Sequence, residues 1–425
     1  MKTSNVPRVA GRATHGRAPS SRAVFLAVAV SAALAPALSG AVPLPMTARA
    51  GAFPVLSSLA RRPRLDIEPI RPRDYVQITG LLETAVAVMA DGEIISLGDD
   101  GVLARAGLDG HQRWSLLVGP SRGAPALDAN GNCYVAGRDG NLYAVDPHGE
   151  IRWLRPLTGT PFRGVAVGER VLAITLDTGE LQLFSVDRGQ PLLSILTHHV
   201  PSAAPIITAD GEIALPTRDG LIVRTDERGH AAAHRVSPKA AVGPLAAGGE
   251  SEIYAGTADG DIVRVERNGD IRWRVSTGLS LDRAPVLSAD GSVVAVAGRE
   301  VFAISPGGTL KWRRAVVARV VGSPLAADDG SVFIAIELAI RGRARGAVLG
   351  LDPSGRPMAQ LPLSGPPTPS LMLSDHALWI GLLDGTIRRF PIVARGLAHS
   401  PWPSARGGVR NAGRSLRPLR PESAR

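Results

Sequence analysis

Few residues of this 425-residue sequence have the types and spacing that chemistry needs, and most of those are cationic. Arg341, Arg343 and Arg345 alternate within one short stretch, and guanidinium groups so placed could share a phosphate or carboxylate through charge-assisted bonds. His198-His199 has the residue type of a transition-metal site, but adjacent side chains rarely share one ion and no third ligand is spaced nearby. Asp128, Asn130 and Asn132 are similar to the opening of a calcium loop, yet the acidic ligand such a loop needs downstream is missing. There is no serine elbow, no phosphate-cradling glycine loop and no motif around paired carboxylates. On this reading no catalytic residue, no cofactor-binding residue and no metal ligand is assigned. What the basic residues can do depends on the elements that carry them.

Those elements are legible from turn chemistry. In Ala124–Trp153 the pairs Asn130-Gly131, Asp139-Gly140 and His148-Gly149 stand nine residues apart, separated by short apolar and β-branched runs. Asn-Gly and Asp-Gly supply the positive φ of two-residue hairpin turns, so the unit reads as four antiparallel strands. About 40 residues in four strands is the size of one propeller blade. The unit recurs: Trp114, Trp153, Trp273 and Trp312 each stand four residues after a glycine, at separations of 39, 120 and 39. Two units between them lack the tryptophan, with Leu193 and Ala233 at the repeat position. Eight units begin near Val86, Pro125, Gly164, Pro205, Pro244, Pro285, Pro324 and Pro369.

The eighth unit has no outer strand after it. Stepping 39 residues back from Trp114 reaches Tyr75, where YVQITG parallels WSLLVG. Tyr75–Thr79 is therefore expected to supply the missing strand, which joins the two ends of the array and leaves no open sheet edge. The expected fold is all-β, an eight-bladed β-propeller of four-stranded blades over residues 73–394, its last blade closed by an N-terminal strand.

At this point the residues match a known pattern. AVDPHGEIRW (Ala144–Trp153) resembles the tryptophan-docking repeat of quinoproteins, A-x-D-x-x-T-G-x-x-x-W, with His148 in place of Thr. The chain is similar to the pyrroloquinoline-quinone-type (PQQ-like) β-propeller family over roughly three-quarters of its length. The resemblance implies that the tryptophans pack between neighbouring blades. It leaves function open, because the same repeat builds dehydrogenases, envelope scaffolds and sensor domains. Quinoprotein alcohol dehydrogenases carry a larger propeller with long insertions, and commonly a disulfide of adjacent cysteines; here Cys133 is the single cysteine, and the family's calcium ligands have no counterpart. The segment SPWPSARGGVRNAGRS (Ser400–Ser415) resembles the W-P…N-x-G stretch that flanks such propellers, with Trp402 expected to dock on the ring.

Charge sorts the remaining segments. Residues 1–62 hold eight Lys/Arg and no acid, residues 395–425 hold seven Arg and one Glu, and the intervening ring carries a net charge of −4. The basicity lies in the tails, so a basic folded surface for nucleic acid is not supported. Residues 1–50 read as a signal peptide: five basic residues precede the apolar run Ala23–Leu38, too short for a spanning helix, with cleavage expected after Ala41 or Ala50. An uncleaved short anchor is the alternative. No cysteine lies near to carry a lipid. Residues 51–72 are an Arg/Pro-rich linker, and 395–425 a basic C-terminal tail.

The same turns assign loops to faces. With strands A to D counted outward from the axis, the B–C turns and the D–A connections share one face. Pro324 to Gly355 is 31 residues against 24 from Pro125 to Gly149, and the extra seven fall in the B–C loop IELAIRGRARGAVLG. Arg341, Arg343 and Arg345 thereby join His198, His199, Lys239 and Arg283 of the D–A connections in a basic rim around the channel entrance. The rim is either a ligand or partner site or a solvated loop. The expected function is that of an exported, periplasmic or extracellular, non-catalytic scaffold in a bacterial envelope. It would be a monomer holding a protein partner without a cofactor, nucleic acid or stable membrane anchor. The alternatives are a quinone-binding, dehydrogenase-like protein that takes PQQ, and a binder of anionic or saccharide ligands at the rim.

Overall fold

A computed structural model describes residues 75–77, 81–82, 84–107, 109–238, 240–340 and 343–416. The signal peptide, the linker, Lys239, Arg341 and the last nine residues lie outside the described residues. Eight sheets of four antiparallel strands form a ring, and among the described residues every regular element is a strand. In seven of the eight sheets the strands follow chain order from the axis outward, as hairpin turns require. Strand A of blade 8 (Pro367–Ser374) lies against strand A of blade 7 (Arg319–Ala326) and strand A of blade 1 (Ala87–Val88), closing the circle. The outer strand of blade 8 is Tyr75–Gln77, paired antiparallel with Thr386–Pro391 through Tyr75↔Arg388, Val76↔Ile387 and Gln77↔Thr386. The N-terminal closure is thus present over Tyr75–Gln77; residues 78 and 79 of the expected strand lie outside the described residues.

The middle strands are buried on both faces and carry the apolar runs, such as Cys133–Ala136 and Val293–Ala297, whereas the outer strands alternate. Burial explains Cys133: the thiol is enclosed among apolar neighbours, which pushes its pKa up and leaves it a small hydrophobe. The aspartates of the C–D turns hold the turns themselves. Asp146 Oδ1 accepts from the amides of His148 and Glu150 at 2.8 and 2.9 Å, and Asp352 does the same for Ser354 and Arg356. Asp128 is likewise absorbed by the amides of Asn130 and Asn132, the Asn132 amide group and the Tyr134 hydroxyl, which removes the calcium-loop reading.

The tryptophans join blades. The rings of Trp114, Trp153, Trp273 and Trp312 lie on Gly149, Gly189, Gly308 and Gly355 of the next blade, where a Cβ would come within 2.5–2.8 Å of the ring. Trp114, Trp273 and Trp312 also donate Nε1–H to the carbonyls of Pro147, Pro306 and Pro353, each at 2.9 Å. Leu193 takes the same place against Gly229, but in blade 4 the residue is His234, not Ala233. The cause is register: strand D of the tryptophan blades carries a bulge near its start, whereas Ala231–Arg235 pairs with Leu221–Thr225 without one. One residue fewer flips the face that each side chain takes.

An acid-sensitive contact sits on blade 6. Burial raises the pKa of Asp290, but bonds from Lys311 Nζ (2.6 Å), Ser288 and Ser292 outweigh it and hold the carboxyl far below its usual range. A depressed pKa contributes stability that is present above about pH 4, the unfolded value, and lost as pH falls below it. Asp290→Asn should flatten the fall in melting temperature between pH 5 and pH 3; an equally steep fall would show that the pair plays no part in it.

Residues 395–416 are not a free tail. They cross the ring on the A–B side, donating to or accepting from all eight blades. Backbone carbonyls of Trp402, Pro403, Val409, Arg410, Ala412 and Gly413 accept from Leu287, Ala326, Val88, Leu127, Val167 and Ile207, all in inner strands. Trp402 is fully buried in the core of blades 4 to 6. Asn411 adopts φ +52°, which asparagine tolerates, and donates to Val86 O at 2.8 Å.

Candidate functional site

Six blades meet around one central cavity of about 430 Å³. Its walls are the ends of the D–A connections and the first residues of the inner strands: Ala204, Val242, Pro244, Leu281, Ala284 and Pro369 among them. Small apolar residues at the start of each unit are what lets eight inner strands converge without filling the axis. The C-terminal segment lines the cavity through Ala405 and Arg406. Arg406 donates to Pro205 O at 3.1 Å and Val165 O at 2.7 Å, both at the D–A ends of inner strands, so its side chain reaches from the strap along the axis. Gly413 makes the room; a Cβ there would sit 2.4 Å from Arg406 Nη2. Burial pulls the pKa of Arg406 down to about 10, so it stays cationic at neutral pH.

Arg163 is a solvent-exposed residue at the lip of the same cavity, and partial loss of water around its guanidinium, then the charges of Arg122 and Arg218, lower its pKa. Arg163 and Arg218 flank the Phe162 ring, each 5.7 Å from its centroid. Arg122, Arg163, Arg218 and Arg406 have no ion pair with a carboxylate among the described residues. Arg283 also lines the cavity, but its neighbour Asp282 faces it at 3.4 Å.

The rim expected from sequence is only partly assembled. His199 Nδ1 pairs with Asp219 at 2.8 Å, across to the B–C turn of blade 4, and adjacent His198 has φ +61°. Arg345 is exposed and donates to Ser364 O at 3.0 Å. It sits in an extended hairpin, not an open loop: Val332–Ile340 and Arg343–Leu351 pair without interruption to Ile340↔Arg343. Four of the seven rim residues are therefore placed with their side chains, namely His198, His199, Arg283 and Arg345; of these, His199 faces Asp219, Arg283 faces Asp282 and Arg345 reaches Ser364 O. Arg163 and Arg406, which line a common cavity, were missed. The only sequence signal for Arg406 was its place in the W-P…N-x-G segment, three residues past Pro403. Among the described residues no group of three or more His, Cys, Asp or Glu side chains comes together as a metal centre.

The profile of the family described as outer membrane protein assembly factor BamB matches residues 98–277 and 258–356, more than half of the chain. The chain belongs to that PQQ-like propeller family. No curated protein matches it in sequence. Among solved structures it is similar to BamB from Moraxella catarrhalis, at 16% identity and a TM-score of 0.64, over 75% of this chain and 98% of that one. The computationally designed Ika8 protein (15% identity, TM-score 0.62, 75% and 99% covered) and Saccharomyces cerevisiae Sqt1 (13%, 0.62, 75% and 98%) share the ring as well. At such identities the likeness is one of fold, and a fold that serves a designed protein and a yeast protein equally does not carry a function of its own.

Proposed function

We propose that this BamB-family propeller is an exported, non-catalytic scaffold that holds a protein partner in the cell envelope. The observation that supports it best is the blade 7 hairpin. Strands of nine residues replace the four to six of most middle strands, so Leu338–Ile340 and the paired start of the next strand at Arg343 extend the hairpin on the B–C turn side, and surface connections are where recognition residues concentrate. Family membership supports an envelope setting, and the basic-then-apolar residues 1–50 support export. The expected partner surface is acidic, facing Arg345 and the arginines around Phe162.

The test is photo-crosslinking from position 364, whose carbonyl Arg345 reaches and which lies outside the hairpin, in cells of the source organism, combined with fractionation. Adducts with an envelope protein are expected, and they should vanish when residues 338–345 are replaced by a two-residue Asp-Gly turn. The shortened chain should melt within a few degrees of the original. A cytoplasmic location, or adducts indifferent to the shortening, would refute the scaffold reading.

A further inference from the structure

We propose that the central cavity is a binding site for a small organic anion, with its carboxylate or phosphate held by Arg406 and Arg163 and its carbon body against the apolar wall. The inference is independent of the scaffold reading. A volume of about 430 Å³ falls within the range of small-molecule sites, and the lining is of the matching kind, apolar with a few charged groups. Three guanidiniums line it against one carboxylate, Asp282, which already faces Arg283.

Arg406 is the built part of the site. Its two carbonyl bonds and the gap left by Gly413 fix the guanidinium in place, while a guanidinium has five N–H donors, so the two carbonyls leave capacity for a ligand. Withdrawing that charge from water without a counter-ion is costly, and a bound anion would relieve the cost. Arg163 has like charges, Arg122 and Arg218, as its electrostatic neighbours, which an anion at the lip would also relieve. The strap crosses the A–B side, so a ligand would enter from the D–A face and meet Arg163 before Arg406.

Isothermal titration of the full chain with citrate and with inorganic phosphate, at ionic strength matched by NaCl, tests the idea. Saturable one-to-one binding of at least one probe is expected, and which of them binds distinguishes a carboxylate from a phosphate ligand. Arg163→Gln should weaken it about tenfold or more, the loss typical of one charge-assisted bond, with an unchanged melting temperature because Arg163 is exposed. Arg283→Gln, whose guanidinium is already faced by Asp282, should change affinity less than about threefold. Arg406→Lys keeps the charge and guards against the misfolding that Arg406→Gln risks; binding should persist but weaken. No saturable heat with either probe, or Arg163→Gln binding as tightly as the original chain, would overturn the proposal.

Discussion

A chain ending at Ala394 is expected to lose about 5 kcal/mol or more of stability, enough to unfold many domains outright. Emptying the site of a buried tryptophan alone costs about 3–5 kcal/mol, and Trp402 is fully enclosed. The strap also satisfies inner-strand amides of Val88, Leu127, Val167, Ile207, Leu287 and Ala326, and Asn411 and Ser415 add side-chain bonds to blades 1 and 5. These bonds tie distant blades to one another, whereas ordinary propeller contacts join only neighbours. Urea unfolding followed by circular dichroism measures the effect. Trp402→Ala should account for about 3–5 kcal/mol by itself, and a truncated chain whose midpoint matches that of the full chain would show that the ring stands without its strap.

The repeat was legible because it rests on local chemistry. Asn130-Gly131 and Asp139-Gly140 dictate their turns whatever surrounds them, and Gly149 and Trp153 keep a fixed distance because each blade's glycine receives the tryptophan of the blade before it. Tyr75–Gln77 could be found because it continues the same period. What sequence reasoning missed is non-local or depends on a single residue of register. Ala233 keeps the period, yet the unbulged strand turns it away and presents His234 to Gly269. The strap has no period at all: Arg406 acquires its role from carbonyls some 200 residues earlier in the chain, at Pro205 and Val165. Its arginines read as a basic tail because composition reports charge and not position.

The arginines show the same limit for the site. Arg341, Arg343 and Arg345 stood out because they lie close together in sequence, but Arg343 and Arg345 belong to the single extended hairpin of blade 7, and Arg345 is not among the residues that line the central cavity. Arg163 and Arg406 are separated by most of the ring in sequence and line one cavity because inner strands from six blades point at the same axis. A propeller builds its centre from single residues of many repeats, so a central site leaves no motif in any one of them.

The inner ring also sets the second large effect: Gly322→Ala should destabilise by more than about 4 kcal/mol, while Gly278→Ala should cost about 1–2 kcal/mol. Both glycines lie in the left-handed region, at φ +77° and +73°, so both substitutions carry the same conformational penalty. They differ in what a methyl group meets. At Gly278 nothing lies within 4 Å, whereas at Gly322 the added Cβ would fall 1.5 Å from Pro369 O and 2.2 Å from Pro369 C. Those are backbone atoms of the neighbouring inner strand, which cannot swing aside as a side chain would. Relief requires moving strand A of blade 8 away from strand A of blade 7, at the seam next to the closing blade. Urea midpoints of the two variants against the original chain measure the difference, which isolates the steric part from the conformational part. Equal losses would mean that blades 7 and 8 separate without cost, and the tight inner ring described here would have to be loosened.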